Sequence, residues 1–253
     1  MDDQLRSAVL IPNAQPYNGP EYSDFGYNGT ETLGTGVLNV TGNDAIVDWV
    51  LIELRNPLSP TTVVSRKAAL VQRDGDVVES TDGVSPLTFV GATAGSYYVA
   101  VRHRNHLGVM TATPVTLSGS TAVSVNFTSS ATANYQVSGI TGTAHAQRVL
   151  PNGKRALWEG NMSNNAGSGK YIQFQGANSD SDEPYYKVLL DPGNTLVIPN
   201  FVVTGYHRSD ANLDGMVIYQ GGDADADVPF YNVQLFPDNV LFLPNFLIFE
   251  QIP

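Results

Sequence analysis

The chain has 253 residues, 42% hydrophobic and 15% charged, which is enough apolar material for one large or two ordinary cores and too little charge for a solvated coiled coil or a disordered tail. Lys and Arg number 13 against 24 Asp and Glu, and the resulting net charge of -11 opposes a phosphate backbone, so no nucleic-acid partner is expected. With no Cys, disulfide, thiolate-metal and cysteine-nucleophile chemistry are excluded; no apolar run is long enough for a membrane span, and Met1-Asp2-Asp3-Gln4 lacks the regions of a signal peptide, so any export signal is expected to have been removed or to lie outside this chain.

Residues 1–43 are crowded with turn-forming Pro, Gly and Asn, which forbid a long regular element, and read as an extended arm or covering loop. Residues 46–55, Ile-Val-Asp-Trp-Val-Leu-Ile-Glu-Leu-Arg, are apolar at nearly every position, as in a central strand covered on both faces. Segments 63–72 and 76–79 flank Arg73-Asp74-Gly75 and predict a hairpin. Residues 97–104 place Tyr97, Val99 and Val101 on one face and Arg102 and Arg104 on the other, and Val123, Val125 and Phe127 predict a further strand. About seven strands at turn-delimited spacing make residues 44–130 an immunoglobulin- or transthyretin-like β-sandwich. Trp49, inside the apolar strand, reads as core, and His103 and His106 as a structural or surface pair.

The small residues 128–132 suit a linker, after which residues 131–253 form the second module. Residues 174–203 align with 219–248 at an offset of 45, with 14 of the 30 positions identical. Two copies, with repeat cores 161–205 and 206–253, are too few for a solenoid, so a pair closed on itself is expected. Pro184 and Pro229 suit the first turn of a short helix in each copy and Pro192 and Pro237 its end, while residues 196–203 and 240–249 read as strands or interface segments.

The strongest chemical signal is Asp210-Ala-Asn212-Leu-Asp214-Gly215-Met216, with oxygen side chains at positions 1, 3 and 5, Gly at 6 and the Met216 carbonyl at 7, the front half of a calcium loop. Gly221 stands where the closing acid belongs, so that ligand has to come from Asp223, Asp225 or Asp227. In the first copy Asn161, Ser163 and Asn165 take the loop positions without a carboxylate, with Asp180 and Asp182 matching Asp225 and Asp227, so weaker binding or none is expected there. The same runs also read as successive Asx-turns. Nine carboxylates between positions 180 and 227 face only Lys187 and Arg208, a repulsion that a bound cation would relieve.

Asp44-Ala-Ile-Val-Asp-Trp-Val-Leu-Ile-Glu-Leu-Arg55, Ala69-Leu-Val-Gln-Arg-Asp-Gly-Asp-Val-Val78, Tyr98-Val-Ala-Val-Arg-His-Arg-Asn-His-Leu-Gly-Val-Met110, Gly205-Tyr-His-Arg-Ser-Asp-Ala-Asn-Leu-Asp-Gly215 and the end Asn245-Phe-Leu-Ile-Phe-Glu-Gln-Ile-Pro253 together resemble the C-terminal region of large secreted or surface proteins of Bacteroidota. The resemblance covers essentially the whole chain. It implies a dockerin-like repeat pair, an extracellular location, export by a type IX-like route, and calcium ligands at Asp210, Asn212 and Asp214. The family's acidic cluster, Asn-Asp-x-Asp, is here Asn178-Ser-Asp180-Ser-Asp182 and Gly222-Asp223-Ala-Asp225-Ala-Asp227, which departs from the pattern at the closing ligand. Family members carry more sequence before the position of Met1, so a fragment or processed form is expected, with an exposed sheet edge that accepts a strand from a neighbour. Residues 1–43 or 240–253 are the candidate donors of a fibre.

No nucleophile elbow, zinc-protease helix or phosphate loop occurs, and the expected protein is not an enzyme. The expected function is an extracellular structural or adhesive protein of a bacterial surface or matrix, calcium-stabilised, self-assembling or bound to a surface protein or glycan. The alternative is an export or docking module at the end of a larger secreted protein.

Overall fold

The structure, a computed structural model, describes residues 1–139, 145–163 and 170–253. The apolar run forms β1 (Ile46–Asn56), buried at every position but the last. A strand without a polar face has to lie inside a sheet, and β1 does: β3 (Val77–Val78), β2 (Ser59–Gln72), β1, β4 (Gly95–His103) and β5 (His106–Met110) are neighbours in that order, all antiparallel, and β6 (Val115–Leu117) pairs with the start of β4. At the β1–β2 turn the Asn56 side-chain oxygen accepts the Leu58 and Ser59 N–H groups at 2.8 and 3.2 Å, and at the β2–β3 turn Gly75 takes φ +105°. The hairpin expected around Arg73-Asp74-Gly75 is thus present.

Irregular chain covers one face of this sheet, and irregular chain together with β6 covers the other. The segment 1–43, which opens with α1 (Gln4–Ser7), lays Leu5, Ile11, Tyr17, Tyr22 and Phe25 over Ile46, Trp49, Leu51 and Leu70. Tyr17 donates its hydroxyl to the Trp49 carbonyl at 2.8 Å, and Trp49 donates its indole N–H to the Pro12 carbonyl at 3.0 Å, so these two buried aromatics keep their polar atoms satisfied. On the opposite face Leu87, Phe89, Val115, Leu117 and Val125 cover Val50, Ile52, Leu54 and Val99. Val125 packs from irregular chain: the strand expected at Val123, Val125 and Phe127 does not form.

The second half has a hairpin of β7 (Arg148–Val149) and β8 (Arg155–Ala156), then two copies of one unit. Copy one supplies β9 (Tyr171–Gln173), α2 (Asp182–Leu189) and β10 (Val202–Thr204); copy two supplies β11 (Met216–Ile218), α3 (Asp227–Leu235) and β12 (Leu247–Phe249). Pro184 and Pro229 sit in the first turns of α2 and α3, where a missing N–H breaks no helical bond. The pairing is reciprocal. β10 pairs with β11 and β12 pairs with β9, in equivalent registers, Val203 opposite Val217 and Ile248 opposite Ile172. Each copy therefore closes the other's sheet, and each helix packs on the sheet so made, Val188 against Val203 and Val217, Val233 against Ile172 and Ile248. Among the described residues the protein is mainly β with antiparallel sheets, and no helix is long and apolar enough to cross a membrane.

Candidate metal centre and its support

The site begins at the β4–β5 hairpin. His103 and His106 pair across its turn, which brings their Nδ1 atoms to 2.9 Å and leaves Arg104 and Asn105 at the tip. Both tip residues are buried, because the tip inserts into the second half. The Asn105 carbonyl accepts the Gly160 and Asn161 N–H groups at 3.0 and 2.9 Å, and its side-chain amide donates to the Arg208 and Asp210 carbonyls. Arg104 donates to Asp48 at 3.0 Å, to Asp210 at 3.4 Å and to the His207 carbonyl, with its guanidinium 4.3 Å from the centre of the Tyr206 ring. Asp48 also accepts the Tyr206 hydroxyl at 2.6 Å and lies 3.1 Å from His103 Nε2. A second buried tie joins Glu53 to Arg102 at 3.2 Å and Arg102 to Glu250 at 2.7 Å. Buried charges persist only when paired and hydrogen-bonded, and these pairs cross between the two halves.

The two repeats present one loop geometry twice. Asp225 Oδ1 accepts the Ala211 and Asn212 N–H groups at 2.7 and 3.4 Å, and Oδ2 accepts that of Ile218 at 2.8 Å. Asp180 Oδ1 accepts the Met162 and Ser163 N–H groups at 2.7 Å each and the Ser163 hydroxyl at 2.9 Å, and Oδ2 accepts the Gln173 N–H at 2.7 Å. Asn161 thereby corresponds to Asp210 and Ser163 to Asn212, with four more residues in the first loop. Asn165 lies outside the described residues.

In the second loop Asp210 accepts the Asp214 and Gly215 N–H groups at 3.1 Å each, Asn212 accepts that of Asp214 at 3.0 Å, and Asp214 accepts that of Met216 at 2.8 Å. The Asn212 amide reaches Asp214 Oδ2 at 3.2 Å and the Asp223 carbonyl at 3.5 Å. Gly215, at φ +85°, makes the turn. Asp210, Asn212, Asp214 and neighbouring carbonyls have the hard-oxygen chemistry that calcium takes. Asp225 comes close to the loop, near enough to Asp210 for like charge to raise it, but both its oxygens are taken by backbone N–H groups, as are those of Asp180, while Asp182 and Asp227 lie in the first turns of α2 and α3. Asp223 offers its carbonyl side of the loop at φ +58°. Among the described residues no three His, Cys, Asp or Glu converge on one metal position, so a cation here depends on Asn212 and carbonyl oxygens. The donors fit a hard cation held at low charge.

Burial pushes Asp225 up to about 7, and Asp210 and Asp180 up to about 6, even though N–H donors, and Arg104 for Asp210, pull the other way. Burial also opposes ionisation of Asp48 and Glu53, but their partners prevail: Arg104, His103 and Tyr206 hold Asp48 well below the usual carboxylate range, and Arg102, Arg55 and Arg66 hold Glu53 at about 2. The signs differ. A raised carboxyl contributes stability below its unfolded value, near 4, and loses it as pH rises through the folded value; a depressed carboxyl contributes above its unfolded value and loses it as pH falls. The melting temperature in EDTA is therefore expected to peak near pH 4, where the depressed carboxyls are ionised and the raised ones still protonated, and to decline up to about pH 7, with calcium lifting that descending limb. A calorimetric series from pH 3 to 8 that is flat above pH 5 in EDTA would show Asp210 and Asp225 ionised without cost.

Comparison with known proteins finds no matching family model, no matching curated protein and no matching solved structure. The tip residues Arg104 and Asn105, with Asp48 and Tyr206, are the part of the site that spacing did not single out. The available signal was Asp48 and Glu53 within an otherwise apolar strand, since buried carboxylates demand cationic partners and Arg102 and Arg104 are close by in sequence.

Proposed function

We propose that this chain is a non-enzymatic structural or adhesive unit of a bacterial surface or matrix, working outside the cell, in which an immunoglobulin- or transthyretin-like sheet module carries a dockerin-like, calcium-stabilised repeat pair. The observation that carries this reading is the buried Arg104-Asn105 tip, bonded to the sheet through Asp48 and to both repeats through Asn161 and Asp210. A continuous set of buried polar contacts makes the two halves one stiff body, as a load-bearing subunit requires. Asp210, Asn212 and Asp214 would hold calcium, which would supply positive charge to this acidic loop. Arg104 already holds Asp210 from the sheet side. Assembly by strand exchange through residues 1–43 or 240–253 requires opening the chain's own core, since Leu5, Tyr17, Ile248 and Ile252 are buried in it.

The test compares Asp214→Ala with the parent chain in calcium and in EDTA. Calcium at about a hundred times its dissociation constant should add about 2.7 kcal/mol to the parent and almost nothing to the variant. Equal destabilisation in both buffers would make Asp214 a turn residue and remove calcium from the reading. A second reading, an export or docking module, is favoured by exposed identical residues at equivalent places on the helices and at their ends, Tyr186 with Tyr231 and Leu190 with Leu235. It requires a chain that stays monomeric in light scattering with and without calcium, whereas the structural reading requires assemblies.

A further inference from the structure

We propose that the cavity between α2 and the covering segment binds a neutral sugar ring of a glycan; this rests on the adhesive side of the reading above and names its ligand. The cavity, about 380 Å³, has the size of a small-molecule site. Glu183, Lys187 and Asp191 line it from α2 and the residues just after, Glu21 from the covering segment, and Arg208 and Ser209 from the start of the second repeat. Met162, Tyr186, Leu190 and Pro192 supply apolar wall. Much of the polar lining is unused. Among the described residues, Glu183 and Lys187 have neither a hydrogen bond nor an ion pair, and the hydroxyl of Ser209, a residue only 7% exposed, has no partner. Buried Arg208 gives its terminal nitrogens to the Glu21 carbonyl at 3.0 Å and to Asp24 at 2.8 and 3.2 Å, but its Nε has no acceptor. Burial pushes the Glu183 carboxyl up although Arg208 pulls it down. Buried polar groups are as a rule hydrogen-bonded, so unused ones gathered around one cavity point to a ligand.

The other repeat supplies an internal comparison. By the offset of 45, Glu183, Lys187 and Asp191 correspond to Val228, Asn232 and Phe236, and, since Asn161 corresponds to Asp210, Arg208 and Ser209 correspond to Glu159 and Gly160. There the same place is filled. Phe236 is buried against Trp158, buried Asn232 donates to the Glu159 carbonyl at 2.9 Å, and a Cβ on Gly160 would lie 3.3 Å from Val228 Cγ1. Tyr186, Leu190 and Pro192 recur as Tyr231, Leu235 and Pro237, so along this stretch the two copies differ at the three lining positions that are charged in the first. The fold is satisfied by Val, Asn and Phe at those positions, and its stability does not account for an acid, a base and an acid around an open cavity.

Charge and spacing select the ligand. Arg208 is already paired with Asp24, so Glu21, Glu183 and Asp191 are offset by Lys187 alone, and phosphate or an acidic sugar is opposed. Among the described residues no three carboxylates converge on one metal position, so a single cation does not satisfy them. A basic peptide side chain would meet the carboxylates but also the like charge of Lys187. Acceptors and donors spread around an apolar wall suit a ligand whose own polar groups are spread and can both donate and accept. Sugar hydroxyls do both, donating to Glu21, Glu183 and Asp191 and accepting from Lys187 and Ser209, while the C–H face of the ring lies on the exposed ring of Tyr186.

The experiment applies the full chain to an array of immobilised neutral and acidic oligosaccharides, then titrates the best neutral one by calorimetry against the parent, the double variant Glu183→Val, Lys187→Asn, and Tyr186→Ala. The double variant copies the second repeat, so it should melt at the parent's temperature or higher while its dissociation constant for the sugar rises by roughly 10-fold or more, the usual cost of losing hydrogen bonds to charged groups. Tyr186 is 54% exposed, so its replacement should weaken binding without unfolding the chain, and it keeps the test open if the double variant does not fold. Binding undiminished in Tyr186→Ala or in the folded double variant, or confined to acidic glycans, would overturn the proposal. Capture of an oligolysine peptide that is lost in the same variants would overturn it in favour of a basic partner. A chain that binds no neutral glycan, yet assembles and is stabilised by calcium, would overturn the sugar site and leave the structural reading standing; one that binds the sugar as expected but neither assembles nor responds to calcium would sustain the site and remove that reading.

Discussion

Arg104→Met should lower the unfolding free energy by roughly 3–5 kcal/mol, the usual cost of leaving one member of a buried ion pair without the other. Asp48 would retain only the Tyr206 hydroxyl, the Trp49 N–H and His103, and Asp210 would lose its one cationic partner from the sheet. For a chain of this length that is a fall on the order of 10 °C in melting temperature. The thermodynamic cycle with Asp48→Asn isolates the pair: the double variant should cost less than the two single ones together, by about 1 kcal/mol or more. Urea titrations supply the four values. Strict additivity would mean that Asp48 is sustained by Tyr206 and His103 alone and that the tip joins the halves by packing.

A loss of similar size is expected for Asp180→Ala and for Asp225→Ala, each by roughly 3 kcal/mol, because buried N–H groups left without an acceptor cost about 1–3 kcal/mol apiece. Asp225 serves three backbone donors, and Asp180 serves three backbone donors and a hydroxyl. Both losses should be the same in calcium and in EDTA, which separates a carboxylate that shapes the loop from one that binds the ion. Asp225→Asn should recover part of the loss, since one side-chain oxygen can still accept while the amide nitrogen cannot. A deficit for Asp225→Ala that appears only in calcium would restore Asp225 as the closing ligand.

The contrast between Asp214 and Asp225 shows why the site was only half legible. Asp210-x-Asn212-x-Asp214-Gly215 specifies its own turn, since each side chain reaches a backbone N–H within five residues, and the structure forms that turn as the spacing implies. Asp225 reaches back 14 residues to Ala211, and only the folded repeat brings those two points together. A carboxylate near a calcium-like loop reads from sequence as a ligand. Here the nearest unpaired donors are backbone N–H groups, and burial gives them first claim.

By itself the sequence determined those features that a few neighbouring residues can enforce. Continuous apolar character from Ile46 placed β1 inside the sheet, Gly75 made the β2–β3 turn, and the 45-residue repeat set two equivalent helices begun near proline. The tertiary structure alone decided partner choice. Three-residue strands such as β10 and β12 carry too little pattern to select between their own copy and the other, so their reciprocal pairing follows from the joint packing of Val188, Val203 and Val217 and of Val233, Ile172 and Ile248. The same holds for the covering of the sheet by residues 1–43 and for Arg104, whose partners Asp48 and Asp210 lie 56 and 106 residues away. Local preference acts over a turn or a strand, whereas the partner of a buried charge is chosen by whatever the whole chain brings within reach once water is excluded.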